Sequence, residues 1–188
     1  MQMTTSIRIL AVIAILGGVA RAAMTPFSLT LGVDSVPELY FGIVGSILLS
    51  IGTFGIYFAQ ANETKKLGLI SFLMLTVSNL FTTLLVSLNL YSIQIGRGDE
   101  IPPAPFSVFI MINMTCMILG FILFGIASYR GRVISKWSSA CLIATPFLLF
   151  VPGFSDFSPA LWGIAYVGFG ISVLNKVGSN KASGLPAI

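Results

Sequence analysis

The sequence predicts an all-α membrane protein, a bundle of six transmembrane helices with both termini cytoplasmic. Three observations carry that reading. Hydrophobic residues make up 56% of the 188 residues and charged residues only 9%, far outside the range of soluble domains. Six apolar stretches, at 7–27, 39–60, 67–91, 106–129, 134–151 and 158–175, are each near the roughly 20 residues that cross a hydrocarbon core of about 30 Å. The charges between them fall on alternate sides. One side receives Arg8, Lys65, Lys66, Arg130, Arg132, Lys136, Lys176 and Lys181, and the other only Arg97 and, if it reaches out of its helix, Arg21. Asp34, Glu38, Asp99, Glu100 and Asp156 sit on the basic-poor side, and Glu63 alone on the rich side. Eight cations against two is the positive-inside pattern, and it puts the N- and C-termini in the cytoplasm. Residues 1–188 read as a single transmembrane domain.

The first stretch is expected to be a retained helix, because Ala20, Ala22 and Ala23 surround Arg21 and its removal would leave an odd helix count. It is expected to end near Thr25-Pro26, with an outer loop over 28–34. Ser35-Val36-Pro37-Glu38 fits a capping box for the second helix, with Ser35 as N-cap and Glu38 at N3. Residues 61–66 form a short inner turn. Residues 92–105, with two glycines and three prolines, read as an irregular outer connector. Gly131 is the expected C-cap in a tight turn over 130–133, and Trp137 beyond it suits a membrane interface. Pro146 lies inside the fifth and shortest helix, where it frees a backbone carbonyl that neighbours must satisfy. Ser158-Pro159 opens the sixth helix with an N-cap and a first-turn proline. The tail after Lys176 is small and polar, and is expected to fray.

Composition also bounds the chemistry. With no histidine in the chain, there is no ordinary haem ligation, no Ser-His-Asp site and no His-based zinc site. Five of the six acids lie in outer segments and none is central in a helix, so a proton relay built on buried carboxylates has little support. No catalytic residues, metal site or cofactor are expected. Cys116 and Cys141 fall inside helices and read as packing residues. The cations are scattered without interleaved aromatics, which argues against nucleic acid. Their bunching on inner loops suits attraction to anionic lipid.

Arg21 is the ionisable exception. At about 1.5 Å per residue it lies about 21 Å along a helix that starts at Ile7, some way below the outer end. Two readings stay open. In one it snorkels outward to water and lipid phosphate. In the other it joins polar residues at similar depth. Thr76, Asn79, Thr83 and Ser87 have near-helical spacing and form a polar stripe on the third helix. Ser46, Asn113, Trp162 and Tyr166 belong to the outer halves of the second, fourth and sixth helices. Arg21, Ser46, Thr83, Ser87, Asn113 and Tyr166 are therefore candidates to line one outward-facing cavity for an anionic or polar ligand, including a lipid headgroup. The competing and favoured reading is that these residues simply make hydrogen bonds between helices.

Small residues recur at spacings of three or four: Ala14, Gly18 and Ala22; Gly42, Ser46 and Ser50; Asn113, Cys116 and Gly120. Such faces let helices approach closely, within a bundle or in an oligomer. Residues 47–56 resemble 117–126, and Phe-Gly-Ile occurs at Phe54, Phe124 and Phe169, the pattern of duplicated hairpins of parallel orientation. With those tripeptides, the Val133-Ile134-Ser135-Lys136-Trp137 opening of the fifth helix, and 161–170 in the sixth, the chain resembles small uncharacterised six-helix bacterial integral membrane proteins. That resemblance implies a multi-pass protein of the bacterial inner membrane and supplies no catalytic residues. Six helices and the alanine spacing of Ala11, Ala14 and Ala22 also look like the substrate-binding subunits of energy-coupling-factor transporters. The expectation is a non-enzymatic structural or regulatory membrane subunit, in contact with lipid and with a membrane-protein partner or a second copy. The alternative is a carrier of a small solute or lipid, using the outward-facing polar cavity around Arg21.

Overall fold

The computed structural model describes residues 3–96 and 106–182. All regular structure among them is helical: α1 Met3–Ala22, α2 Met24–Leu31, α3 Val36–Gln94, α4 Phe106–Gly131, α5 Lys136–Leu148 and α6 Ser158–Ala182, with a 3-10 turn at Ser155–Phe157 before α6. Four stretches are long and apolar enough to cross a bilayer: Met3–Leu31, Val36–Gln94, Phe106–Gly131 and Ser155–Gly178. The outer-loop residues Arg97, Asp99 and Glu100, with the three prolines at 102, 103 and 105, lie outside the described residues.

α3 is two helices joined at one residue. Lys65, at φ 52° and ψ −139°, breaks the helical path. The chain then doubles back: the Phe72 ring stacks on Tyr57 at 4.6 Å and meets Phe54 edge-on at 4.8 Å. In an unbroken helix Tyr57 and Phe72 would be about 22 Å apart. The inner turn expected over 61–66 is thus shortened to Lys65 alone.

Contacts between elements fix the rest of the path. α1 runs antiparallel to the first leg of α3, with Gly17 against Leu48 and Gly55 against Leu10, and antiparallel to α6, with Gly18 against Gly163 and Gly170 against Ile15. The second leg of α3 is antiparallel to α4, through Leu75 with Gly120 and Phe81 with Phe109. α5 packs between α4 and α6, Gly125 meeting Ile143 and Gly168 meeting Ser138. The result is an up-and-down arrangement of six helical arms, with α1 held between α3 and α6. Its centre is apolar and aromatic: Phe121 lies edge-on to Trp162 at 4.9 Å, and Phe124 to Phe169 at 6.0 Å.

The exposed surface is also apolar. Ile9, Val12, Leu16 and Val19 project from one face of α1, each at least 43% exposed. A soluble protein rarely shows such a continuous face, whereas hydrocarbon is its natural solvent. The small-residue faces point the other way. Ala14, Gly18, Gly42, Ser46 and Gly120 are all buried between helices of this chain. A Cβ at Gly18 would sit 2.6 Å from the Gly163 carbonyl oxygen, so glycine at this crossing sets how closely α1 and α6 approach.

Several local expectations change. Residues 28–31 are helical, within α2, and the outer connector shrinks to 32–35. The cause is Pro26, whose ring clashes with a helical carbonyl four residues back, at Ala22. α1 therefore stops at Ala22 and a new helix starts with Pro26 in its first turn. Ser35 is the N-cap of α3, but its side chain makes no capping bond. The Ser35 backbone N–H turns instead to the Gly32 carbonyl at 3.3 Å. Past α4, the left-handed residue is Arg132, φ 54°, not Gly131, which remains in the helix. α5 is 13 residues long and ends two residues after Pro146. α6 continues through Ala182 instead of fraying after Lys176, with Arg8 Nη2 of α1 donating to the Val177 carbonyl at 3.4 Å.

The α1–α6 crossing yields a stability test. Gly163→Val should cost about 1–3 kcal/mol, the usual penalty for forcing carbons into a filled interior. Leu16→Ala, on the exposed face, should change stability by less than about 0.5 kcal/mol. Thermal melting of the detergent-purified protein compares the two.

Candidate functional site

The antiparallel register of α1 and the first leg of α3 brings Arg21, one residue from the end of α1, against Gly45 and Ser46. A Cβ at Gly45 would lie 3.2 Å from the Arg21 backbone nitrogen. From there the guanidinium Nη1 donates to Ser46 Oγ at 3.3 Å. Its flat face lies over the Trp162 ring of α6, with Cζ 4.0 Å from the centroid. Arginine stacked on tryptophan is the strongest common cation–π pairing, worth about 2 kcal/mol when desolvated. Arg21 is 8% exposed, Trp162 2% and Ser46 0%. The guanidinium is thus inside the bundle and does not snorkel to the surface.

Beside it, α2 and the 3-10 turn cover the end of the bundle where α1 stops and α6 starts, tied by Thr25 Oγ1 donating to the Asp156 carbonyl at 3.0 Å. Glu38, 6% exposed, is near enough for its charge to act on the guanidinium, although the two make no N–O contact within 4.0 Å. This end of the bundle therefore brings one basic and one acidic side chain near each other. It also holds unused hydrogen-bonding atoms: Arg21 Nε, Trp162 Nε1 and Glu38 Oε2 are buried without partners. Buried polar atoms are nearly always bonded, so this local cluster of exceptions is unusual. Two are donors and one is an acceptor.

The remaining sequence-predicted residues occupy other places. Tyr166 sits deeper, with Oη 3.1 Å from Thr53 Oγ1 of α3. Thr53 spends its own proton on the Leu49 carbonyl at 2.6 Å, so the phenol is the donor between them. The Asn79 carboxamide adjoins the phenol oxygen, yet neither its Oδ1 nor its Nδ2 completes a hydrogen bond of good geometry. Asn113 forms a third group, Oδ1 accepting from Ser78 at 3.0 Å and Thr82 at 3.2 Å. Thr83 and Ser87 are half-buried and donate back along their own helix, to Asn79 O at 2.9 Å and Thr83 O at 2.7 Å. Of the six residues, then, Arg21 and Ser46 meet directly. Tyr166 and Asn113 anchor separate clusters, and Thr83 and Ser87 are satisfied locally.

Toward the inner end, Gln60 Nε2 donates to Ser128 Oγ at 2.9 Å, leaving Gln60 Oε1 buried and unpartnered. Lys176 bridges Glu63 at 3.2 Å and the Ala59 carbonyl at 3.2 Å near the surface. Sequence reasoning left Thr53, Gln60 and Ser128 out of the site, and favoured a capping role for Glu38 over a binding one. The available signal was the spacing of Ser46, Thr53 and Gln60, seven residues apart on one face of the first leg of α3.

No group of three or more His, Cys, Asp or Glu residues suited to a metal ion occurs among the described residues. Cys116 and Cys141 are free and half-buried. The chain is thus a helical protein with several helices long and apolar enough to cross a membrane, whose interior holds clustered polar side chains and, near the α2 end, one buried guanidinium. No family model, curated protein or solved structure matches the chain.

The Arg21–Glu38 coupling is open to a mutant cycle. Arg21→Met removes the Ser46 hydrogen bond and the contact with the Trp162 ring and should cost about 2–3 kcal/mol. Combining it with Glu38→Gln should recover part of the loss if the two charges act on each other. Strict additivity, within about 0.5 kcal/mol, would mean that the two charges do not depend on each other.

Proposed function

We propose that this chain is a six-pass integral membrane protein, with both termini cytoplasmic, that binds a small polar solute at its outer end and acts as a carrier without catalysing a reaction. The observation that carries this reading is the buried guanidinium of Arg21, whose free Nε–H lies beside another free donor, Trp162 Nε1. An arginine inside a membrane protein costs at least a few kcal/mol unless it is partnered. Retaining one with unused donors is costly for a purely structural element, and natural for a site that receives a ligand.

The charge of the site narrows the ligand. Glu38 balances Arg21, so a solute with no net charge leaves the site neutral, whether it is uncharged or zwitterionic. Its acceptor atoms face Arg21 Nε and Trp162 Nε1, and a donor suits Glu38 Oε2. A zwitterionic lipid headgroup offers the same chemistry and belongs among the ligands tested.

Six crossings are supported by the antiparallel path of the arms, the two legs of α3 counting separately. The cationic turns support the orientation: Lys65, Lys66, Arg130, Arg132 and Lys136 are all exposed at one end of the bundle, the arrangement that the positive-inside rule assigns to the cytoplasm. The plasma membrane of a bacterium is the setting that accords with the resemblance noted from sequence. A structural or regulatory subunit is the competing role, and its docking faces would be the small-residue stripes. Those stripes are occupied within the bundle, which favours the carrier.

Two measurements test these statements. In a background of Cys116→Ala and Cys141→Ala, single cysteines at Lys66 and Arg132 should react with an impermeant thiol reagent only from the cytoplasmic side, and cysteines at Asp34 and Asp156 only from outside. The reverse pattern, or all four on one side, overturns the topology. For binding, the purified protein should melt at a higher temperature with one class among amino acids, sugars, polyols, amides and zwitterionic lipids, and Arg21→Ala should abolish that gain. A gain that survives Arg21→Ala removes this residue from the site.

A further inference from the structure

Three polar stations follow one another through the bundle. Ser46, Thr53 and Gln60 lie on one face of the first leg of α3, and all three are fully buried. Seven residues separate each from the next, about 10.5 Å of helix, so together they span about 21 Å of a hydrocarbon core near 30 Å thick. Each meets a polar side chain from another helix: Ser46 with Arg21 of α1, Thr53 with Tyr166 of α6, and Gln60 with Ser128 of α4. Each station also has hydrogen-bonding capacity to spare: Arg21 Nε and Trp162 Nε1 at the outer one, both carboxamide atoms of Asn79 at the middle one, and Gln60 Oε1 at the inner one.

The middle station defines the chemistry. Asn79 is 1% exposed with neither carboxamide atom completing a hydrogen bond, whereas buried polar atoms are nearly always bonded. Because Tyr166 has given its proton to Thr53, its oxygen is left as an acceptor, and Asn79 offers two N–H donors and one carbonyl acceptor. The side chains that form this station, Asn79, Thr53 and Tyr166, bring no formal charge to balance an ion. The complementary occupant is small and uncharged, with a donor and an acceptor side by side, as in an amide, a urea or a polyol.

We infer that the stations at Ser46, Thr53–Tyr166–Asn79 and Gln60–Ser128 form a translocation file for a small uncharged hydrogen-bonding solute, with Asn79 as its mid-membrane binding residue. This rests on the carrier reading above and extends it from binding to passage. Leu49 and Ile56, both fully buried, separate successive stations on the same leg and act as apolar gates. The solute exchanges one set of hydrogen bonds for the next about 10 Å further on. No bond is made or broken.

The test reconstitutes the full chain in phosphatidylcholine vesicles and follows urea and glycerol entry by stopped-flow light scattering. Wild type should admit at least one of the two faster than protein-free vesicles. Asn79→Leu should cut the protein-dependent rate about tenfold, equivalent to about 1.4 kcal/mol of barrier. Asn79→Gln, which keeps the carboxamide, should restore part of the rate, and Leu80→Ala, on the exposed face, should leave it unchanged. If Asn79→Leu does not reconstitute, Tyr166→Phe removes the phenol oxygen and should lower the rate. Entry of both probes at the protein-free rate overturns the file, as does a rate indifferent to Asn79→Leu or its stand-in. Arg21-dependent thermal stabilisation needs no passage, so binding without entry defeats the file and leaves the outer site standing. Asn79-dependent entry without Arg21-dependent binding supports the file and defeats the outer site.

Discussion

Inside hydrocarbon there is no water to satisfy a backbone N–H or carbonyl, so each must find its partner within the protein. The helical arms follow from this constraint, and so do the places where they break. Pro26 cannot follow α1 without clashing with the Ala22 carbonyl, and the chain starts again as α2 at the outer end. Pro146 ends α5 within two residues. The abrupt reversal at Lys65 has the same origin: a longer turn would leave more backbone unpaired near the membrane. The side-chain hydroxyls obey the rule too, since Ser50, Thr64, Thr76, Thr83 and Ser87 donate to the carbonyl four residues back.

Against that background the unsatisfied atoms are selective. Most hydroxyls are satisfied by their own helix and need no neighbour. Apart from Ser35 Oγ just before α3, the orphans among the described residues belong to longer or planar groups (guanidinium, indole, carboxamide, carboxylate) that bring several hydrogen-bonding atoms and can satisfy only some of them locally. They gather where the first leg of α3 faces α1, α4 and α6. Around them the packing is tight and aromatic, so the polar groups are held in place by shape. Small residues give the helices that closeness, and they are used up in doing so.

Much of the fold is legible in the sequence because hydropathy and charge act over whole segments. The helical character of the apolar stretches and the turns at Lys65 and at 132–135 follow from it. What is not legible depends on single residues. Pro26 read as a helix terminator is also a helix initiator, and only the covered outer end of the bundle decides for α2. Gly131 and Arg132 compete for one left-handed position, and the helix keeps the glycine. For the polar residues, depth and helical phase bring Arg21 to Ser46, since an antiparallel pair has one register. Depth alone does not separate Thr83 and Ser87, which bond to their own backbone, from Asn79, which has no such recourse. The stacking of Arg21 on Trp162 needs the register of a third helix, about 140 residues away in sequence.

That separation matters while the chain is being made. α1 is synthesised well before α6, yet its guanidinium is covered by Trp162 of α6. At about 5–20 residues per second, the intervening stretch takes roughly seven to thirty seconds to synthesise. Throughout that interval Arg21 has Ser46 and Glu38 within reach but no indole face, and α1 has only one of its two supporting helices. Until α6 is in place the guanidinium has one face uncovered, so docking of α6 both supplies that face and completes the packing of α1.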